Sequence, residues 1–159
     1  SFTIIGLLSN RMLSQKKVEN LAVKYGLESK IKFFFNINYK TVPTILSKCD
    51  IGISAIPPDQ KYIVSSPSKL VDYMALGIPV IGNREIIEQN RIITESDCGL
   101  LVEYGHEQFS EGICEMIKNM DLFLEKGRKG KSWISKNQNF TKLSSLLSGE
   151  YKKLLVVNS

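Results

Sequence analysis

Histidine is nearly missing from this sequence: His106 is the single one. That leaves little scope for a Ser-His-Asp triad or a histidine metal cluster. Cysteine is sparse too. Cys49, Cys98 and Cys114 are an odd number at wide spacing with no CxxC pattern, so neither a redox motif nor a cysteine zinc site is indicated. They read as reduced thiols, with Cys49 and Cys114 inside apolar helices. No apolar run is long enough to span a bilayer, and no signal-peptide pattern stands in these residues. The net charge of +5 comes from basic residues spread along the chain, with no dense run and no interleaved aromatics. This argues against DNA or RNA binding and suits an anionic ligand or weak attraction to an anionic surface. Internal repeats, low-complexity segments and linkers are absent from the sequence as well.

What is present is ordinary for a globular protein: 159 residues, 43% hydrophobic and 23% charged, enough for one domain over 1–159 with a real core. Short apolar runs predict strands at Thr3–Leu8, Ile31–Phe35, Asp50–Ala55, Val80–Gly82 and Gly99–Val102. Helical spacing predicts helices at Ser14–Tyr25, with Val18, Leu21, Ala22 and Tyr25 as the apolar stripe, and at Tyr39–Lys48, with Val42, Ile45 and Leu46 inward. Further helices are expected from Pro67 to Leu76, in part of Arg84–Thr94, and over Tyr104–Met120. Two or three more are expected between Asp121 and Val157, around Phe123, Trp133, Phe140, Leu146, Leu147, Tyr151 and Leu154, with breaks at Gly127, Gly130 and 137–139. Strand and helix alternate, and the strands are nearly continuous apolar runs, as burial on both faces requires. The fold class is therefore α/β, a doubly wound parallel sheet with right-handed crossovers and extra C-terminal helices. In such a sheet ligands bind beyond the carboxyl ends of the strands.

One stretch organises the rest, from Ser65 to Gly82. Ser66 is expected as N-cap and Pro67 at the first helical position. Leu70, Met74 and Gly77 form one buried face. Gly77 ends the helix and Pro79 prevents continuation. The polar residues left over are Ser65, Ser66, Ser68 and Lys69, crowded at a helix start, where free N–H groups and the positive end of the helix dipole favour an anion. Asp72 follows at i+3 from Lys69, on the same side. An anion site with a carboxylate one turn away suits a nucleotide. The alternative is a plain cap at Ser66 and a surface ion pair between Lys69 and Asp72.

The residues Pro67, Lys69, Asp72-Tyr73-Met74-Ala75, Gly77 and Pro79-Val80-Ile81 also carry a resemblance. Their spacing resembles the donor-binding signature P-x-K-x-x-[DE]-Y-M-A-x-G-x-P-V-I of retaining GT-B glycosyltransferases of the GT4 type. Ile31-Lys32-Phe33, the segment 48–54 and Cys98–Val102 are similar to further strands of that family, and Trp133 with the final helix to its C-terminal helices. The resemblance implies a Rossmann-like C-terminal domain that binds a nucleotide-diphosphate sugar. It implies transfer with retention of anomeric configuration, without metal or other cofactor, to a saccharide or lipid-linked acceptor. Surface polysaccharide synthesis (capsule, O-antigen or lipopolysaccharide) would be the setting, in a cytoplasmic protein associated peripherally with the inner face of a membrane. By the same resemblance Ser66, Ser68, Lys69 and Leu70 would meet the donor phosphates, mainly through backbone N–H groups. Asp72 would bond the ribose, and Asn36 and Ile37 would form the turn beside the base. Arg84 reads as a solvated charge at a helix start.

Three departures qualify the match. Val64 stands where many members carry the first carboxylate of a Glu-x7-Glu pattern, and Asp72 is one methylene shorter than the second. The strand–helix unit that supplies the family's diphosphate-neutralising cations is not recognisable here, and neither is the acceptor domain. The chain also opens on Ser1. The expectation is therefore a fragment that is inactive alone, with no catalytic residue of its own assigned. A non-catalytic nucleotide-sugar-binding subunit, or the partner of a split transferase, stays open as the alternative. An epimerase of the same architecture would need acid/base carboxylates that are not apparent, and a receiver domain an acidic cluster that is not there.

Overall fold

In the computed structural model, residues 1–6, 12–137, 144–145, 147–151 and 153 are described, and they fall into two units, Ser1–Cys49 and Asp50–Ser159. The predicted positions Leu7, Leu8, Phe140, Leu146 and Leu154 and the expected break at 138–139 lie outside the described residues. No helix among the described residues is long and apolar enough to cross a membrane.

The first unit contains strand β1 (Phe2–Gly6), helix α1 (Met12–Lys24), strand β2 (Ile31–Phe35) and the short helix α2 (Val42–Leu46). β1 and β2 pair in parallel, with Phe2 opposite Ile31 and Gly6 opposite Phe35. The helix expected over Tyr39–Lys48 begins as a 3₁₀ turn, Tyr39–Thr41, whose cap is Asn38: its side chain accepts from the Lys40 N–H. Pro43 then stands in the first turn of α2, where its missing N–H costs nothing. Leu46 is buried, with Val42 and Ile45 partly so. The stripe of α1 departs from expectation. Ala22 is buried, but Leu21 is 53% and Tyr25 64% exposed. A sheet of two strands gives a helix little to lie on.

In the second unit, β3 (Gly52–Ser54), β4 (Val80–Asn83) and β5 (Gly99–Val102) form a parallel sheet in that order. α3 (Ser68–Leu76), α4 (Ile87–Ser96), α5 (His106–Lys118) and α6 (Met120–Asn137) surround it. All strand pairing is thus parallel as read from the sequence, divided between two sheets. The central strand β4 is buried at every position. Its side chains alternate between faces. Val80 joins Leu70, Met74, Ile92, Ile93, Cys98 and Ile134 in one core cluster, while Ile81 joins Phe109, Met116 and Phe123 in another. This is the two-faced burial of a doubly wound sheet.

The expected breaks at Gly127 and Gly130 are corrected: α6 runs unbroken through both. The glycines serve close approach instead. A Cβ at Gly127 would collide with the Gly77 carbonyl, and one at Gly130 with the Cys98 side chain. Cys98 is fully buried, which pushes its thiol pKa up. Cys114 is exposed on α5, not inside an apolar helix, and Cys49 is partly buried just past the end of α2.

Candidate functional site

α3 begins one residue later than expected. Pro67 takes the N-cap position with no side-chain cap, and Ser68 is the first helical residue. Ser66 therefore stands one residue before the N-cap, and its hydroxyl does not cap the helix. The Ser66 carbonyl accepts from the Ser68 N–H at 3.1 Å, and the Pro67 carbonyl from Leu70 N–H at 3.0 Å and Val71 N–H at 3.5 Å. The Lys69 N–H is the amide of this turn with no such bond among the described residues. At the other end, Gly77 sits at φ 77°, a left-handed conformation that glycine adopts without steric cost. The Ile78 N–H reaches back to the Tyr73 carbonyl and the Gly77 N–H to Met74, which closes the helix in a Schellman motif.

Leu70 and Met74 are fully buried and anchor the helix on the sheet. Ser66, Ser68 and Lys69 are exposed at its start. Asp72 is partly buried, and burial raises its carboxyl pKa above the ordinary range, with no hydrogen bond or ion pair among the described residues to offset it. The surface ion pair between Lys69 and Asp72 is not formed: no ion pair among the described residues involves either one. A partly buried carboxylate one turn from an exposed lysine leaves acceptor oxygens open to a ligand.

Ser66, Ser68, Lys69, Leu70 and Asp72 thus share one helix and its approach. Asn36 and Ile37 belong to the first unit, where Asn36 ends β2 in a left-handed turn at φ 51°. Asparagine is among the few side chains that tolerate this backbone. Arg84 is exposed as read, but it is not free: its guanidinium donates to the Leu101 carbonyl at 3.3 Å.

Sequence reasoning missed a polar frame at the carboxyl ends of the second unit's strands. Asn83 and Gln89 are both fully buried. The Ser54 hydroxyl donates to Gln89 Oε1 at 2.6 Å, and Gln89 Nε2 donates to the Asn83 carbonyl at 2.9 Å. Asn83 Nδ2 donates to the Ile56 carbonyl and to Glu85 Oε2, and its Oδ1 accepts from the Ile56 N–H. Glu85 Oε1 accepts from the Tyr104 N–H at 2.8 Å. Burial acts on the Glu85 carboxyl in the upward direction, and the Tyr104 and Asn83 bonds outweigh it and bring the pKa below the ordinary range. One signal was available. Gln89 lies three residues after Ile86 and four before Ile93, so a polar side chain occupies a position of the apolar stripe.

The glycosyl transferases group 1 family matches residues 1–133. No curated relative matches the chain. Among solved structures, the sucrose-phosphate synthase of Thermosynechococcus elongatus superposes with a TM-score of 0.79 at 16% identity, over 98% of this chain and 38% of that one. HepE of Anabaena in complex with UDP and glucose gives 0.79 at 15% identity, over 95% of this chain and 40% of its own. The C-terminal domain of a group 1 family glycosyl transferase, LpcC from Francisella tularensis, gives 0.69 at 18% identity, over 84% and 66%. This chain spans about two-fifths of the first two. The shared fold is the Rossmann-like domain of GT-B glycosyltransferases. The family match covers most of the chain and includes every residue of the α3 signature, so the chain belongs to the glycosyl transferases group 1 family.

Proposed function

We propose that this chain is the donor-binding part of a retaining glycosyltransferase, holding a nucleotide-diphosphate sugar at the start of α3. The observation that carries the reading is Asp72, a partly buried carboxylate with a raised pKa and no partner among the described residues, one turn from Lys69. In this reading the ribose hydroxyls supply the missing donors to Asp72. The diphosphate lies against Lys69 and the amide end of the helix, which replaces the charge a metal would bring. Stabilising the departing nucleoside diphosphate lowers the barrier to sugar departure, which is electrostatic catalysis. The Asn36–Ile37 turn is assigned to the base on the resemblance of its sequence. Acceptor recognition and transfer need protein beyond these residues, so the chain alone binds donor and transfers nothing. Synthesis of a surface polysaccharide at the inner face of a membrane completes the proposal. HepE, solved with UDP and glucose, supports a nucleotide and a sugar as the ligand classes.

The test is a titration of the chain with UDP, GDP, ADP and CMP, followed by ligand-observed NMR. One nucleotide should saturate. Asp72→Asn and Lys69→Ala should each weaken it about tenfold, the worth of one charge-assisted hydrogen bond. Asp72→Asn should not lower the melting temperature, because it removes a desolvated charge. Unchanged affinity in both variants overturns the assignment.

A further inference from the structure

The β3–α3 loop, residues 55–67, delivers the chain from the end of β3 to the start of α3. Its position decides where Ser66, Ser68 and Lys69 stand. Hydrogen bonds from residues outside the loop hold it near both ends. At its beginning, Ile56 is gripped on both backbone groups by one side chain: Asn83 Oδ1 accepts from the Ile56 N–H at 2.9 Å, and Asn83 Nδ2 donates to the Ile56 carbonyl at 3.0 Å. Paired strands exchange bonds in the same two-point manner, here with an amide side chain in place of a backbone. Near its end, the Ile87 N–H donates to the Ile63 carbonyl at 3.1 Å. The outer anchors are the last residue of β4 and the first of α4. Between them the loop is braced internally by Asp59. Its carbonyl accepts from the Tyr62 and Ile63 N–H groups, and its carboxylate from the Lys61 N–H at 2.8 Å.

The Asn83 amide has no freedom left. Nδ2 makes a second bond to Glu85 Oε2 at 2.9 Å, and Oδ1 a second contact with Gln89 Nε2 at 3.3 Å. Two donors and two acceptors are all an amide side chain has, and here each is used, at a fully buried position. Turning the amide over would set like against like at every partner. A buried network satisfied in this way fixes one geometry.

We infer that Asn83 is the positioning residue of the donor site: through Ile56 it holds the β3–α3 loop, and with it the phosphate-binding start of α3, in register with the strand ends. The inference rests on the donor reading above, and it deepens that reading by naming a residue that touches no ligand.

Full chains carrying Asn83→Asp and Ile134→Val are compared. The first keeps the acceptor bonds and sets a carboxylate against the Ile56 carbonyl and Glu85. The second trims the core cluster that holds Leu70 and Met74 and leaves the Asn83 hydrogen bonds in place, as a reference for general destabilisation. Two quantities are read: the rate of tryptic cleavage after the exposed Lys61, and the affinity for UDP, GDP and ADP. At temperatures matched for fraction folded, Asn83→Asp should be cut after Lys61 about tenfold faster than Ile134→Val and bind the preferred nucleotide about tenfold more weakly. Adding Glu85→Gln, which offers a donor to the new carboxylate, should recover part of both. Where Asn83→Asp does not fold, Glu85→Gln alone gives the same comparison with smaller changes of about threefold. Equal cleavage and equal affinity in the two chains overturn the inference. If the unaltered chain binds none of the three nucleotides, the donor reading fails, and the Lys61 cleavage ratio still decides whether Asn83 holds the loop.

Discussion

Helices α1 and α3 follow parallel strands in different units and both carry apolar stripes, yet they meet different fates. In α3, Leu70 and Met74 are fully buried. In the first unit, Leu21 on α1 and Tyr25 just beyond it remain more than half exposed. Periodicity alone does not explain this, since both stripes recur at helical spacing. The difference lies in what each helix is packed against. α3 is covered by α6, whose Gly127 lies against the Gly77 backbone and whose Gly130 lies against the Cys98 and Met74 side chains, and it rests on a sheet of three strands. The first unit offers two strands. An apolar stripe is an offer of burial, and a second layer has to accept it.

The sharpest way to break this comparison is to truncate one stripe residue in each unit. Met74→Ala should destabilise the second unit by about 3 kcal/mol, the usual cost of a large-to-small change at a fully buried site. Leu21→Ala should stay within about 0.5 kcal/mol. Urea titration read by amide hydrogen exchange reports each unit separately. Equal losses would mean that α1 is covered as fully as α3.

A glycine in each unit sharpens the same point. Gly127→Ala should cost about 2 kcal/mol through overpacking, because the new Cβ meets the Gly77 backbone and a carbonyl cannot turn aside as a side chain can. Gly26→Ala meets nothing within 4 Å and should cost about 1 kcal/mol for a different reason, its φ of +65°. Gly26→Asn should recover much of that loss, since asparagine tolerates the left-handed backbone. Gly127→Asn should cost more than Gly127→Ala. If the asparagine substitutions moved both positions the same way, the two glycines would share one cause.

The strands were legible because each is a short apolar run bounded by turn residues: Ile31–Phe35 and Gly99–Val102 fall where the sequence places them. The helix of the donor signature was legible to within one residue, since Gly77 and Pro79 leave no other stop. What escaped depended on contacts distant in sequence. Gly127 and Gly130 read as breaks because glycine weakens a helix locally, and only the approach of Gly77 and Cys98 shows why they stand inside one. Asn83 and Gln89 escaped for the same reason: each is an ordinary polar residue until Ile56, some 27 residues away from Asn83, is placed beside it. The candidate site was legible in its residue types, and its electrostatics were not. Lys69 and Asp72 at i+3 suggest an ion pair, and among the described residues neither has one.

Two carboxylates of the second unit carry that contrast into pH dependence. Asp97 caps α4 in a left-handed turn, and Lys126 at 2.6 Å and Lys129 at 2.8 Å bond its two oxygens. The Lys126 hydrogen bond, followed by that of Lys129, holds its carboxyl below the ordinary range. Its contribution to stability is therefore present above the unfolded-state pKa, about 4, and is lost as pH falls through the lower folded value. Asp72 has the opposite sign. Its pKa is raised by burial, so its contribution is present below the unfolded value and lost as pH rises through the folded one. Asp97→Asn should then flatten the acid limb of the stability curve, while Asp72→Asn should raise stability near neutrality and leave the acid limb alone. The Asp97 effect is small, about 0.5 kcal/mol, because its carboxylate is nearly half exposed and screened by solvent. Urea midpoints between pH 3 and 7 for the three chains read both signs at once. A stability gain near neutrality in Asp97→Asn, or a loss there in Asp72→Asn, would reverse the roles: Asp72 would then be a structural carboxylate, with no need of a ligand to bond it.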